Sequence, residues 1–211
     1  MKIMNSTILK KLSLLLVSAF CFYTAHAQDD VALAAIKKHR EKQEAEFKDP
    51  EKSPLDRKQI RHFKGLNYFP PDLVYHVKAT LVKSETPALF KMKTTTNRLP
   101  DFRKYGEVHF ELMGNAYSLE VYQSPDISKE SGYEDYLFIP FTDETNGNET
   151  YEVGRYVEMR IPVTNEVDID FNLCYNPYCS YRAGYSCPIP PAANHLPIAI
   201  LAGEKKFLDH H

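Results

Sequence analysis

The sequence predicts a mainly β protein, an antiparallel β-sandwich or partly closed barrel of about eight strands, with one or two helices at its N-terminal end. Three observations lead there. From Asp72 onward apolar and polar residues alternate with period two, in short runs rich in β-branched and aromatic side chains. Turn signals separate these runs. Nowhere do strand and helix patterns alternate as a parallel sheet requires, and no internal repeat is visible.

The helices come first. Residues 29–47 are charged and rich in helix formers, with Val31, Leu33, Ile36 and Phe47 as an incomplete apolar stripe, which predicts an exposed helix. Ser53-Pro54 reads as an N-cap followed by proline at the first helical position, opening a short helix over 57–63 that stops at Gly65. Strands are expected over 74–82, 88–95, 107–113, 117–122, 136–140, 155–161, 167–171 and 196–202. In the third, Val108, Phe110 and Leu112 share a face, and in the fourth Tyr117, Leu119 and Val121 do. Gly114-Asn115 between them can take the positive φ angles of a two-residue hairpin turn. The strands at 155–161 and 167–171 are expected to pair through a turn at 162–166, with Val157, Met159, Ile161, Val167, Ile169 and Phe171 inward. An Arg160–Asp168 pair would then lie on the exposed face, worth well under about 1 kcal/mol.

The first 27 residues carry a different pattern. Lys2, Lys10 and Lys11 form a positive region, residues 12–22 an apolar run, and Ala25-His26-Ala27 a cleavage site, so residues 1–27 read as a signal peptide. An exported protein, periplasmic or extracellular, follows as the expectation. A lipoprotein would be acylated at Cys21, but Phe20 stands where a small residue is expected. Residues 28–52 form an N-terminal helical segment and 53–208 a single β-rich domain. Without the leader the chain has 184 residues, 23 basic against 28 acidic. That balance offers no basic face, so nucleic acid is not an expected partner, and no segment has the roughly 20 apolar residues of a membrane span. Oligomeric state is not encoded in any pattern recognised here.

The stretch 140–204 is denser in polar, aromatic, glycine and proline residues than core building requires. Its blocks read PFTDETNGNETYEVGRY from Pro140 to Tyr156, DFNLCYNPYCSY from Asp170 to Tyr181, CPIPPAANHLP from Cys187 to Pro197, and AGE from Ala202 to Glu204. SPL at 53–55 and GLNYFPPD at 65–72 stand upstream. In these blocks the chain resembles an uncharacterised bacterial family, a domain of unknown function with the pattern PFxDxTxGxETYxxGRY, DFNxxYNPxCxY and CPxPPxxNxLP. The resemblance spans roughly residues 35–206 and implies no activity. Cys174 stands where the family typically has alanine, and His195 where arginine is common.

Three roles for these residues follow from their chemistry. Arg155 beside Tyr151, with Tyr175, Asn172 and Asn176, can hold a small polar or anionic ligand at the strand ends through paired hydrogen bonds. Glu149 or Asp170 as general base, with Arg155 or Asn176 stabilising developing negative charge, describes a hydrolase instead. In the third role Arg155 belongs to a buried bridge and the motif is a structural clasp. Tyr175, Tyr178, Tyr181 and Tyr185, with the proline run at 188–191, would form rigid binding walls. Cys179 and Cys187 are expected to form a disulfide closing a short loop, worth about 2.5 kcal/mol. The paired C-x2-C spacing of structural zinc is missing from the set Cys174, Cys179, Cys187 and His195. No metal and no cofactor is predicted. His195 is the one histidine near Cys179 in sequence that could serve it as a base.

Overall fold

Residues 28–208 are described by a computed structural model. The expected signal peptide, with Cys21, lies outside the described residues. Helix α1 covers 28–48 and buries Ile36 and Phe47, the two inward positions of its sparse stripe. Helix α2 (Arg57–His62) is capped by Asp56, whose side chain accepts from the backbone of Lys58 and Gln59 while Gln59 reaches back. Ser53 is therefore not the N-cap; its hydroxyl accepts from Leu55 N in the preceding turn. The reciprocal Asp56–Gln59 bonds satisfy two backbone donors where Ser53 could reach neither.

Eight strands follow: β1 (His76–Lys83), β2 (Leu89–Lys91), β3 (Asp101–Leu112), β4 (Asn115–Gln123), β5 (Tyr136–Asp143), β6 (Arg155–Arg160), β7 (Glu166–Asp170) and β8 (His195–Leu196). They form one sheet in the order β6-β5-β4-β3-β1-β7, with β2 beside β3 and the short β8 parallel to β5. All other pairings are antiparallel. The sheet is curled into a half-barrel, which decides between the two expected architectures.

That curl corrects the expected β6–β7 pairing. The two strands are consecutive in the chain but stand at opposite ends of the sheet, β6 on β5 and β7 on β1. Residues 161–165 connect them and can span at most about 20 Å, so the sheet must bend its edges toward one another. Arg160 accordingly meets Asp135 at 2.8 Å, and Asp168 meets Lys78 at 2.6 Å and His76 at 3.3 Å, not each other. The expected inward faces hold: Val157, Val167, Ile169 and Phe171 are buried, with Met159 and Ile161 packed against them.

The inner core collects Leu81, Val108, Leu119, Val121, Leu137, Ile139 and Phe141 from the concave face. A second cluster of Met92, Phe102, Tyr122, Tyr136, Phe138 and Tyr156 lies on the other face. One bulge allows β3 to feed both. Register shifts between Lys104 and Gly106, so Phe102 joins the outer cluster while Val108, Phe110 and Leu112, at the same parity, point inward. Glycine is required there because a Cβ on Gly106 would come within 2.4 Å of Val82 O. β5 is buried on both faces, with Leu137, Ile139 and Phe141 inward and Tyr136 and Phe138 outward.

The β3–β4 hairpin is present, but its turn is one residue earlier than expected. Leu112 pairs with Asn115, leaving Met113 (φ 51) and Gly114 (φ 77) in the two left-handed positions. The two-residue loop must take positive φ twice to match strand twist, and the register places Met113 there. A methionine pays a steric cost of about 1–2 kcal/mol in that conformation. Met113 is 53% exposed, so Met113→Asn loses little packing. The variant is expected to gain about 0.5–1 kcal/mol in urea unfolding. A lower midpoint would contradict the described turn.

Candidate functional site

Arg155 opens β6 opposite Phe141, and Asp143 closes β5, so adjacent strand ends bring the two together. Both side chains are fully buried. Arg155 Nη2 donates to Asp143 Oδ2 and to Ile200 O, each at 2.8 Å. Its Nη1 donates to Ala202 O at 2.5 Å and Glu204 O at 3.2 Å. Asp143 Oδ1 accepts from Thr145 N and Oγ1 at 2.9 and 2.6 Å and from Ile200 N at 3.2 Å. The guanidinium lies 5.4 Å from the Phe141 ring centre and 6.0 Å from that of Phe69. Gly154 permits this approach, since a Cβ there would meet Phe141 O at 2.6 Å and its φ is 126°. Arg155 thus spends both terminal nitrogens on protein oxygens. The strand expected over 196–202 shrinks to β8 for the same reason: the carbonyls beyond it go to Arg155 and not to a strand partner.

The clasp continues through Glu204, whose Oε1 accepts from Tyr181 Oη at 2.6 Å and Oε2 from Asn176 N at 2.8 Å. Burial pushes this carboxyl up to about 7, although Tyr181, Asn176 and Arg155 pull the other way. Asn176 Nδ2 donates to Lys205 O at 2.8 Å. Asn172 clamps the other side, exchanging bonds of 2.9 and 2.8 Å with the backbone of Asp72. Asp170 Oδ1 accepts from Asn172 N and Nδ2 at 2.9 and 2.8 Å, which makes it the cap of a turn. Glu149 is exposed, and its carbonyl accepts from Lys206 N. Neither Glu149 nor Asp170 is hydrogen-bonded to Arg155, whose carboxylate partner is Asp143, a residue not among the expected site residues. The placement of Asp143 and Arg155 at the two ends of the β5–β6 connection, residues 144–154, was the available signal.

Cys174, Cys179 and Cys187 are free thiols in this structure, which does not show the expected Cys179–Cys187 disulfide. The two residues are nevertheless adjacent, with Cys179 N donating to Cys187 Sγ at 3.2 Å and Tyr151 Oη 3.5 Å from Cys179 Sγ. A hydrogen bond from the Cys187 thiol lowers Cys179 and raises Cys187 correspondingly. Cys174 is buried beside Ala202 O, and its thiol is pushed up to about 11 by burial. His195 pairs with Glu144 at 3.2 Å and Thr142 at 3.1 Å, not with a cysteine. Among the described residues no group of three or more His, Cys, Asp or Glu side chains is placed to hold a metal ion. Nor is any described helix long and apolar enough to cross a membrane.

The cavity lies elsewhere, over the outer face of the sheet. A recess of about 290 Å³ is lined by Tyr136, Phe138, Tyr156, Tyr175, Tyr185 and Glu158, among others. Strands β5 and β6 supply the floor, and the 175–188 segment the wall, held by the paired backbones of Tyr156 and Tyr175 at 2.9 and 3.1 Å. Phe138 and Tyr156 pack edge to face at 4.6 Å, and Tyr156 and Tyr175 at 5.8 Å. Glu158 Oε1 accepts from Tyr136 Oη at 2.9 Å and from Tyr175 Oη. Burial raises the Tyr136, Tyr156 and Tyr175 phenols well above their usual range, so these rings stay neutral. Among the described residues no Lys or Arg lines the recess. A larger recess of about 550 Å³ beside Lys78, His109 and Tyr117 is open surface at the β3–β4 hairpin and holds none of the motif residues. Of the expected ligand-binding residues Tyr175 lines the aromatic recess, joined by Tyr178, Tyr185 and Pro188 of the expected binding walls and by Cys187, whereas Arg155, Tyr151, Asn172 and Asn176 do not. The missed residues were legible only as aromatics at the outward positions of β5 and β6, where an exposed sheet face would carry polar ones.

A family described as "Protein of unknown function (DUF1684)" matches residues 61–205. The chain belongs to this family. The solution structure of an uncharacterised protein from gene locus rrnAC0354 of Haloarcula marismortui is similar to it, with 32% identity, a TM-score of 0.66, and coverage of 87% of this chain and 98% of that one. No curated protein matches the chain. The DUF1684 span takes in the whole sheet, the Asp143–Arg155–Glu204 clasp and the aromatic recess. The family match begins after α1, whereas the likeness to the Haloarcula structure, over 87% of the chain, extends further toward the N-terminus.

Two outcomes follow for this DUF1684 clasp. Arg155→Met strands Asp143 in the core and is expected to cost about 3–5 kcal/mol of stability in urea unfolding. A loss below 1 kcal/mol would remove the clasp from its central place. Glu204 sets a pH dependence: the unfolded side chain releases its proton near 4.5 and the folded one near 7. Its contribution is thus full below 4.5 and lost as pH rises to about 7, at up to about 1.4 kcal/mol per pH unit. Unfolding of wild type and Glu204→Gln across that range is expected to show the fall in the wild type and a flatter curve in the variant.

Proposed function

We propose that this DUF1684 protein is an exported binding domain that takes up a small organic molecule in the aromatic recess, while the Asp143–Arg155–Glu204 clasp serves as its frame. The observation that carries the reading is the recess itself, about 290 Å³ lined mainly by aromatic rings with a single carboxylate, Glu158. A volume at the small end of ligand cavities, mostly apolar walls and one oriented polar group are what small-molecule sites share. The recess does not suit an anion, because its charged lining group is itself negative. Arg155, the group that would have drawn an anion, is buried among its own acceptors. Export rests on the leader pattern of Lys2, Lys10, Lys11, the apolar run and Ala27.

Export also bears on the thiols. In an oxidising compartment Cys179 and Cys187 join as a disulfide, each thiol giving up a hydrogen to a small-molecule disulfide that is reduced to two thiols. The bond would close the loop that carries Tyr185 and so stiffen the recess wall. Peptide mapping after incubation with oxidised glutathione is expected to yield a linked Cys179–Cys187 peptide with Cys174 still alkylatable after unfolding; equal alkylation of all three would reject the pairing.

The binding reading is tested by thermal shift against neutral, cationic and anionic metabolites. At least one neutral or cationic ligand is expected to raise the melting temperature of the wild type, and the rise is expected to shrink in Tyr175→Ala. A panel without any shift, or a shift indifferent to Tyr175, would move the function away from the recess.

A further inference from the structure

The charge and hydrogen-bonding of the same recess narrow the ligand further, and the step rests on the binding role given above. We infer that the recess takes a fully methylated ammonium group, held over the faces of Tyr136, Tyr156 and Tyr175 and countered by Glu158.

The ring faces carry the negative side of the aromatic quadrupole and attract a cation brought within about 6 Å. This part of the protein already uses that attraction, since the Arg160 guanidinium lies 5.3 Å from the Tyr133 ring centre and 5.8 Å from that of Tyr136. Arg160 is itself neutralised by Asp135 at 2.8 Å and donates to Gly132 O at 2.6 Å. Glu158, two residues before Arg160 on β6, has no ion-pair partner among the described residues. Its Oε1 is oriented by two tyrosine hydroxyls, which leaves Oε2 open. The recess therefore joins one carboxylate without an ion-pair partner among the described residues to a largely aromatic lining.

Desolvation separates a methylated nitrogen from a primary one. A primary ammonium is a compact, strongly hydrated charge and gives up more hydration on entering an aromatic recess. A nitrogen bearing only methyl groups brings no donor, and its positive charge spreads over methyl surfaces that pack on the rings. The hydroxyls of Tyr136 and Tyr175 donate to Glu158 and that of Tyr156 to Pro188 O, so what the recess offers a cation is aromatic surface and the Glu158 carboxylate.

The test compares choline and tetramethylammonium with the neutral isostere 3,3-dimethylbutan-1-ol and the anion pivalate, by calorimetric titration and by NMR of the tyrosine ring protons of the purified protein. Choline is expected to bind at least about ten-fold more tightly than the neutral isostere. Glu158→Gln is expected to reduce that ratio to below about three-fold with an unchanged melting temperature, because Glu158 is exposed and its amide is nearly the same shape. Tyr175→Leu is expected to weaken choline and the isostere together. Equal binding of choline and the isostere, or a preference for pivalate, would overturn the cation assignment and leave the recess as a site. Silence of the recess tyrosines to every probe, in a protein whose melting temperature also ignores the wider metabolite panel, would overturn the binding role itself.

Discussion

The buried Asp143–Arg155 pair is the constraint on which the rest of the molecule depends. Two charges at zero exposure carry a desolvation cost of several kcal/mol each, which Coulomb attraction alone does not reliably offset. Here the cost is offset by dense hydrogen bonding: the two terminal nitrogens of Arg155 are bonded to the carbonyls of residues 200, 202 and 204 while its Nε has no partner, and Asp143 is bonded to the backbone of 145 and 200. The pair acts as a substitute strand for a segment that lacks one. It fastens Ile200 and Ala202 into the inner core and delivers Glu204 to Tyr181 and Asn176. Through those residues it holds the 171–188 segment against the outer face of the sheet.

That placement links the frame to the recess. The half-barrel has two apolar faces, because β5 is buried on both and the bulge before Gly106 lets β3 serve both. The inner face is packed with its own side chains, as in a small barrel. The outer face is covered by irregular chain, which packs less completely than a second sheet and leaves a cavity between Tyr156, Tyr175 and Tyr185. Structural charge is thus sealed inside the fold, and the accessible charge, Glu158, sits at the aromatic wall.

Much of the fold was legible locally. Alternation in β3 and β4 assigned the inward faces correctly, since a pleated strand turns successive side chains to opposite sides whatever lies beyond it. The misreadings came where a distant partner outweighed local preference. Ser53 lost the cap to Asp56 because Gln59 completes a reciprocal pair. Met113 entered the hairpin turn because register across β3 and β4 fixes which two residues lie between them. The candidate site was less legible: Arg155 was singled out correctly as exceptional, but its residue type fits a ligand clamp and a buried frame equally well.

By itself the sequence determined a mainly β chain, the inward residues of its strands, a leader pattern at its start, and Arg155 with the 171–194 loops as unusual ground. Only the tertiary structure decided that β6 and β7 stand at opposite edges, that Arg155 is bound to residues 45 to 49 positions away, and that Cys179 and Cys187 face one another as thiols. The physical reason is range. Side-chain alternation and turn chemistry are set by neighbours a few residues apart, whereas the sign of a site's charge depends on which groups remain unpaired after folding. Glu158 is left as the exposed charge of the recess because Arg160, the arginine two residues along the same strand, is paired with Asp135.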